Sequence, residues 1–116
     1  MLTIKNKQFG ILEKSLRQQF ITMTALNIRN YHEDEYVKST TEEWHNWIEQ
    51  KMQECISYEI LEEKDFKQYV EISLNYPLME KRPLQLWIEE LLGNNSRDVE
   101  ERFSLLIEKL EFTTND

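Results

Sequence analysis

The sequence has few of the residues that build tight turns, disulfides and metal centres. Its 116 residues include only two glycines, two prolines, one cysteine and two histidines. So few glycines and prolines exclude a turn-rich β-sandwich. A single cysteine excludes an intramolecular disulfide framework and a zinc site made of several thiolates.

Long apolar runs are also absent. No segment approaches the roughly 20 apolar residues that a membrane span requires, and the stretch from Met1 to Gln8 has no apolar core of signal-peptide length. These features predict a cytoplasmic protein without a membrane partner. With hydrophobic residues at 40% and charged residues at 31%, the composition also excludes a fully disordered chain.

Cations are the scarcer kind of charge. Lysine and arginine total 14 against 22 aspartates and glutamates, which gives a formal net charge of -8. Because nucleic-acid affinity comes mainly from cations on phosphates, we expect no nucleic-acid partner. The charge is uneven, since residues 1–30 carry +4 and residues 31–116 carry -12. The acids of residues 40–65 have two interpretations. They lie on solvated helix faces and at helix starts, where negative charge is favourable, or they form an acidic face that attracts a basic partner.

Apolar periodicity and turn residues predict an all-α fold. We expect residues 1–116 to form a compact single-domain bundle of about five helices, with residues 111–116 as a frayed tail. The predicted helices lie at about 7–30, 40–58, 62–75 and 83–92, with a last helix from the Asn95–Ser96 turn to about residue 111. The segment 31–36 breaks the period and is predicted as a loop or short turn.

The first helix is apolar on more than one side. Its predicted buried stripe has three- and four-residue spacing and consists of Phe9, Leu12, Leu16, Phe20 and Met23. Three isoleucines fall outside this stripe, namely Ile11, Ile21 and Ile28. The helix is therefore expected to offer apolar surface to a partner as well as to the core.

The later helices have clearer patterns. Thr40 and Glu43 fit a capping box at the start of the second helix. The predicted core residues of the later helices are Trp44, Ile48, Met52, Cys55, Phe66, Tyr69, Val70, Ser73, Leu74, Leu84, Trp87, Ile88, Leu91, Val99, Phe103, Leu106 and Leu110. Ile72 is expected to point elsewhere, Gly93 to be a left-handed C-cap, and Asn95 or Ser96 to cap the last helix. Cys55 is interpreted as a small buried apolar residue rather than a reactive thiol.

No pattern of catalytic or metal-binding residues stands out. A histidine and a glutamate at His45 and Glu49 have the i, i+4 spacing of a metal pair, but one pair is weak evidence for a metal site. No glycine-rich phosphate loop is present. We therefore predict a protein that is not an enzyme, with no catalytic residue, metal or cofactor.

Trp44 and Trp47 lie three residues apart, and Trp47, which fits the core stripe less well, is the candidate interface anchor.

Four short motifs stand out: Leu16-x3-Phe20, Trp44-x2-Trp47-Ile48, Cys55-Ile56-Ser57-Tyr58-Glu59-Ile60-Leu61-Glu62-Glu63-Lys64-Asp65 and Tyr69-Val70. With these motifs the sequence resembles a family of small acidic helical accessory proteins encoded beside spike and effector genes in bacterial type VI secretion clusters. Glu59 stands where the family pattern has glycine. The resemblance implies an accessory role in effector handling, as a co-chaperone or loading adaptor.

Three functions remain open from the sequence. The first is an adaptor that binds a secreted effector or its chaperone; the second is an immunity protein that neutralises a cognate toxin. The third is a structural subunit that forms a homodimer through the extra apolar positions of the first helix. For partner binding, the sequence predicts the surface residues Glu42, Glu43, Trp47, Glu49, Glu54, Glu62 and Glu63.

Overall fold

The prediction of an all-α fold is confirmed. A computed structural model describes the backbone of residues 2–115 and the side chains of residues 14–113 except residue 78, and this part of the chain contains no β-strand. The helices are α1 (Leu2–Tyr31), α2 (Glu33–Tyr36), α3 (Thr41–Ser57), α4 (Glu63–Asn75), a 3₁₀ turn (Pro77–Glu80), α5 (Arg82–Leu92) and α6 (Val99–Asn115). The additional element is α2, a single helical turn where the sequence predicts a loop or short turn.

The chain forms two compact units, Met1–Gln50 and Lys51–Asp116. The boundary lies inside α3, so one continuous helix belongs to both units. Whether residues 1–116 behave as a single domain therefore stays a prediction. Among the described residues, no helix combines the length and the apolarity needed to cross a bilayer.

The buried face of α1 differs from the predicted stripe. Ile21 and Ile28, which fall outside that stripe, are buried, whereas Leu16 and Met23 are exposed. Phe20 is buried as predicted. Because α1 is apolar on two faces, periodicity alone does not identify the face that the rest of the unit covers. The side chains of the predicted residues Phe9, Ile11 and Leu12 lie outside the described residues.

The start of α3 confirms the predicted capping box. The Thr40 hydroxyl accepts from the Glu43 backbone N–H at 3.1 Å, and the Glu43 carboxylate accepts from the Thr40 backbone N–H at 2.8 Å. Trp44 follows in the first turn, stacks on Tyr36 with ring centroids 6.0 Å apart and donates its indole N–H to the Tyr36 carbonyl. These contacts fix the entry of the chain into α3. The predicted stripe is confirmed, since its members are all buried: Trp44, Ile48, Met52 and Cys55.

A left-handed glutamate ends α3. Glu59 has a φ of 61°, and among the described non-glycine residues it is the one with a positive φ. The Ile60 N–H donates to the Cys55 carbonyl and the Glu59 N–H to the Ile56 carbonyl, each at 2.9 Å. This pair of bonds is the Schellman arrangement, which usually places glycine where Glu59 stands. The hydrophobic residue that accompanies the motif is Ile60, which is fully buried.

In the second unit, the core comes mainly from α4 and α6. The buried side chains of these helices include Phe66, Tyr69, Val70, Ile72, Phe103, Leu106 and Leu110. The expectation that Ile72 points away from the core is wrong, because α4 buries a broader face than one stripe. In α5 the buried residues are Ile88 and Leu92, while Leu84, Trp87 and Leu91 are half-buried.

Two predictions about helix ends in the second unit are wrong. Gly93 has a right-handed backbone, and a Cβ there would lie 2.9 Å from the Glu89 carbonyl oxygen, so close approach rather than left-handedness favours glycine. The cap of α6 is Asp98, whose carboxylate accepts from the Glu101 N–H at 2.8 Å. Ser96 instead donates to the Asn94 side chain in a local turn.

The tail predicted to fray is helical. α6 continues to Asn115, and the Thr113 hydroxyl donates to the Lys109 carbonyl at 2.8 Å. Residue 116 lies outside the described residues. The helix extends because Leu110 is fully buried close to its end, which holds the last turns in place.

Candidate acidic cleft

The first unit contains a cleft with two acidic side chains on one wall. Its volume is about 520 Å³, and its lining residues are Gln18, Ile21, Thr41, Glu42, His45, Asn46 and Glu49. The α3 residues in this lining recur three or four positions apart from one turn of the helix to the next, and that spacing places them on one helix face. Gln18 and Ile21 form the α1 side of the cleft.

The two carboxylates of the cleft have different surroundings. Glu49 accepts a hydrogen bond from the Arg17 guanidinium at 3.1 Å, so its charge is partly balanced within the unit. Glu42 is exposed in the first turn of α3 and makes no ion pair within the described part of the chain. The negative charge that remains for an incoming cation is therefore centred on Glu42.

Glu43 and Trp47 support the start of α3 rather than lining the cleft. The Glu43 carboxylate is engaged in the capping box with Thr40. Trp47 is half-buried and meets Trp44 edge to face, with ring centroids 5.5 Å apart and planes at 87°. Trp44 is thus a core residue, and Trp47 lies at the edge of the same aromatic pair.

The other three predicted partner-binding acids belong to the second unit. Glu54 accepts from the Tyr69 hydroxyl at 2.6 Å and lies 3.5 Å from the Lys51 ammonium. Glu62 precedes α4 and lies 3.6 Å from Lys64, while Glu63 is exposed at the first position of α4. The seven predicted residues therefore do not share one lining, and only Glu42 and Glu49 face the cleft.

A second, smaller cavity of about 170 Å³ lies in the second unit. It is lined by Lys51, Glu54, Tyr58, Tyr69, Met79, Glu80, Gln85, Ile88 and Glu89. Lys51 is almost completely buried and donates to Glu80 at 2.7 Å. Sequence reasoning missed this lysine, because lysine is rarely buried and its partner lies 29 positions away.

The titratable groups near this cavity hold their protons tightly. Burial raises the pKa of Tyr58 to about 12. The pKa of Tyr69 is also raised, mainly by burial and to a smaller extent by the hydrogen bond to Glu54. Burial raises the pKa of the Cys55 thiol as well. At neutral pH these side chains are donors or apolar surface rather than bases or nucleophiles.

His45, Asn46 and Gln18 are cleft residues that the partner-binding prediction did not include. His45 and Asn46 lie three and four positions after Glu42, so helical spacing from that glutamate would have found both. Gln18 lies on another helix, and no pattern in the sequence links it to α3.

The cleft has the side chains of a binding surface for cationic groups. No three histidine, cysteine, aspartate or glutamate side chains converge as a metal site within the described residues. Comparisons of the chain with protein-family models, curated proteins and solved structures give no match.

Proposed function

We propose that this chain is a non-enzymatic protein-binding accessory protein of a bacterial type VI secretion system, acting as an effector co-chaperone or loading adaptor. The observation that carries the proposal is the acidic cleft of the first unit, with Glu42 exposed on its α3 wall. A basic segment of the effector or of its chaperone is the partner of matching charge. The secretion context comes from the resemblance of the sequence motifs.

Electrostatic steering is the mechanism of this binding. Glu42 and Glu49 lie on one side of α3, and the net charge of -8 extends the attraction beyond contact distance. Trp47 does not line the cleft, so its aromatic surface at the edge of the pair with Trp44 is a separate contact for the partner. Charge of this kind affects the association rate most strongly, and it weakens as salt is added.

A charge-reversal experiment tests the cleft. The chain is co-expressed with the effector encoded beside it, and the affinity of the purified pair is measured for the wild type and for Glu42→Lys. We expect Glu42→Lys to weaken binding by roughly tenfold at low salt, and less at high salt, because the main uncompensated carboxylate of the cleft is lost.

The matched control is Glu90→Lys, since Glu90 is an exposed glutamate of α5 in the second unit. It makes the same change in net charge at a residue that does not line the cleft, so it should preserve most of the affinity. Equal losses in the two variants, or binding that does not depend on salt, would count against the cleft as the binding surface.

Deletion of the gene separates an adaptor from an immunity protein. An adaptor is expected to leave the producing cells alive while the effector is no longer secreted. Death of the producing cells would support the toxin-neutralising alternative, in which the same acidic cleft covers a basic toxin.

A further inference from the structure

The first unit exposes an apolar stripe on α1. Leu16, Met23 and Leu26 are 52%, 60% and 50% exposed, although Ile21 and Ile28 of the same helix are buried. The exposed residues recur at spacings of seven and three, so they lie on one face of α1, away from its buried face. Monomeric proteins rarely leave such a contiguous apolar stripe uncovered.

The stripe has the residue spacing of the contact line, or seam, between two helices of a coiled coil. Leu16, Gln19, Met23 and Leu26 are separated by three, four and three positions, as alternating a and d residues of a heptad are. In the sequence, Phe9 and Leu12 continue the same register toward the start of α1. α1 has 30 residues, which gives a helix of roughly 45 Å, long enough for an extended helix pair.

The charges along α1 and just beyond it are uneven. The amino-terminal half of α1 contains the cations Lys5, Lys7, Lys14 and Arg17 and one acid, Glu13, and the last turn of the helix contains Arg29. The acids Glu33, Asp34 and Glu35 follow directly after its carboxyl-terminal end and form most of α2. No acid occurs between residues 14 and 32. A second copy in antiparallel orientation brings the basic amino-terminal half of each α1 toward the acids that follow the other α1, whereas a parallel copy brings like charges together.

The seam defines one antiparallel register, and the distribution of charge agrees with the antiparallel orientation. If Leu16 lies opposite Leu26, then Gln19 lies opposite Met23, and the two-fold axis is level with residue 21. Residue 31, the last of α1, and residue 11 are each 10 positions from residue 21, or roughly 15 Å along the helix. The register that pairs the apolar residues therefore brings the carboxyl-terminal end of one α1, after which the acids follow, to the basic amino-terminal half of the other.

We infer that two copies of this chain pair through α1 in antiparallel orientation, with Leu16, Gln19, Met23 and Leu26 as the seam. This interface lies on the opposite side of α1 from Ile21 and leaves the acidic cleft open. It does not depend on the proposed function. Glu42→Lys should leave self-association unchanged, so the two proposals succeed or fail separately.

Sedimentation equilibrium of the full chain tests the seam. We expect the wild type to form a dimer, and the L16E/M23E variant to dissociate with a Kd raised roughly a hundredfold or more, because each dimer buries four of these side chains. Leu86→Glu is the matched control, since Leu86 is also exposed but lies on α5. All variants should keep their helical circular dichroism, as the changed side chains are exposed.

A wild-type chain that stays monomeric at the highest soluble concentration overturns the inference. A dimer that persists in L16E/M23E overturns it as well. If the wild type is monomeric and L16E/M23E loses its effector, another protein covers the stripe and self-pairing is wrong.

Charge exchange tests the antiparallel orientation. One variant carries Lys5→Glu and Lys7→Glu, and the other carries Glu33→Lys, Asp34→Lys and Glu35→Lys. Each variant alone should dimerise with a Kd raised roughly three- to tenfold, because like charges then meet at both ends of the pair. An equimolar mixture should recover the wild-type Kd as a mixed dimer. A mixture no stronger than the separate variants overturns the antiparallel register.

Discussion

Among the described residues, Glu59 is the one non-glycine residue with a left-handed backbone. A left-handed φ costs a residue with a Cβ about 1 to 2 kcal/mol, and glycine avoids this cost. Glycine also loses more entropy on folding, which offsets part of the gain. We therefore expect Glu59→Gly to raise the free energy of unfolding by about 0.5 to 1 kcal/mol, measured from the urea midpoint and slope.

Glu59→Ala is the matched control for this prediction. It removes the side chain that accepts from Asn95 at 3.0 Å but keeps the Cβ and its strain. Its stability should equal that of the wild type or fall slightly. If the alanine variant gains as much as the glycine variant, backbone strain at Glu59 is not the cause.

Cys55 illustrates how burial decides the chemistry of a residue. Its side chain is fully buried, and burial raises the pKa of the thiol, so little thiolate exists near neutral pH. We expect iodoacetamide at pH 8 to label the native protein slowly and the urea-unfolded protein rapidly. Labelling of the native chain as fast as the unfolded chain would contradict this assignment.

At the scale of elements, the capping box determines where α3 begins. Removal of the Thr40 hydroxyl leaves the Glu43 N–H without its acceptor. We expect Thr40→Ala to lower the free energy of unfolding by about 1 kcal/mol in urea denaturation.

The control is Ser39→Ala, which removes an exposed hydroxyl from the preceding residue. Its effect should stay within about 0.5 kcal/mol, as is usual for surface changes. Equal losses in both variants would mean that Thr40 does not act through its cap.

At the scale of the whole molecule, buried donors make stability sensitive to alkali. The ordinary pKa values are 9.0 for Cys55 and 10.0 for Tyr58 and Tyr69, and all three are raised in the fold. The folded chain therefore binds more protons than the unfolded chain once the pH exceeds about 9. The contribution of these three protonated groups to the free energy of unfolding is complete below their unfolded pKa values. It is lost as the pH rises toward their pKa values in the folded chain.

Urea unfolding between pH 7 and pH 11 measures this loss. We expect the free energy of unfolding to fall above pH 9. The slope approaches about 1.4 kcal/mol per pH unit for each group that is protonated in the folded chain and deprotonated in the unfolded chain. Tyr69→Phe removes one such group, so its slope above pH 10 should be shallower by up to that amount. Identical slopes for the variant and the wild type would show that Tyr69 does not contribute.

The local features of this fold were predictable from adjacent residues. The all-α class follows from apolar periodicity, the start of α3 from Thr40 and Glu43, and its buried face from the stripe that includes Ile48 and Met52. A capping box needs only residues three positions apart, so the sequence contains all of its determinants. Both acids of the cleft, Glu42 and Glu49, were also among the predicted surface residues.

The remaining features were decided by residues far apart in the chain. α1 is apolar on two faces, and only the packing of its unit selects Ile21 and Ile28 for burial and leaves Leu16 exposed. The partners Arg17 and Glu49 are 32 positions apart, so no local pattern predicts which acids are already paired. The sequence by itself determined the helices and one of their caps, because those depend on neighbouring backbone groups. Tertiary structure decided which faces are covered and which charges remain available, because burial and pairing depend on what distant segments bring into contact.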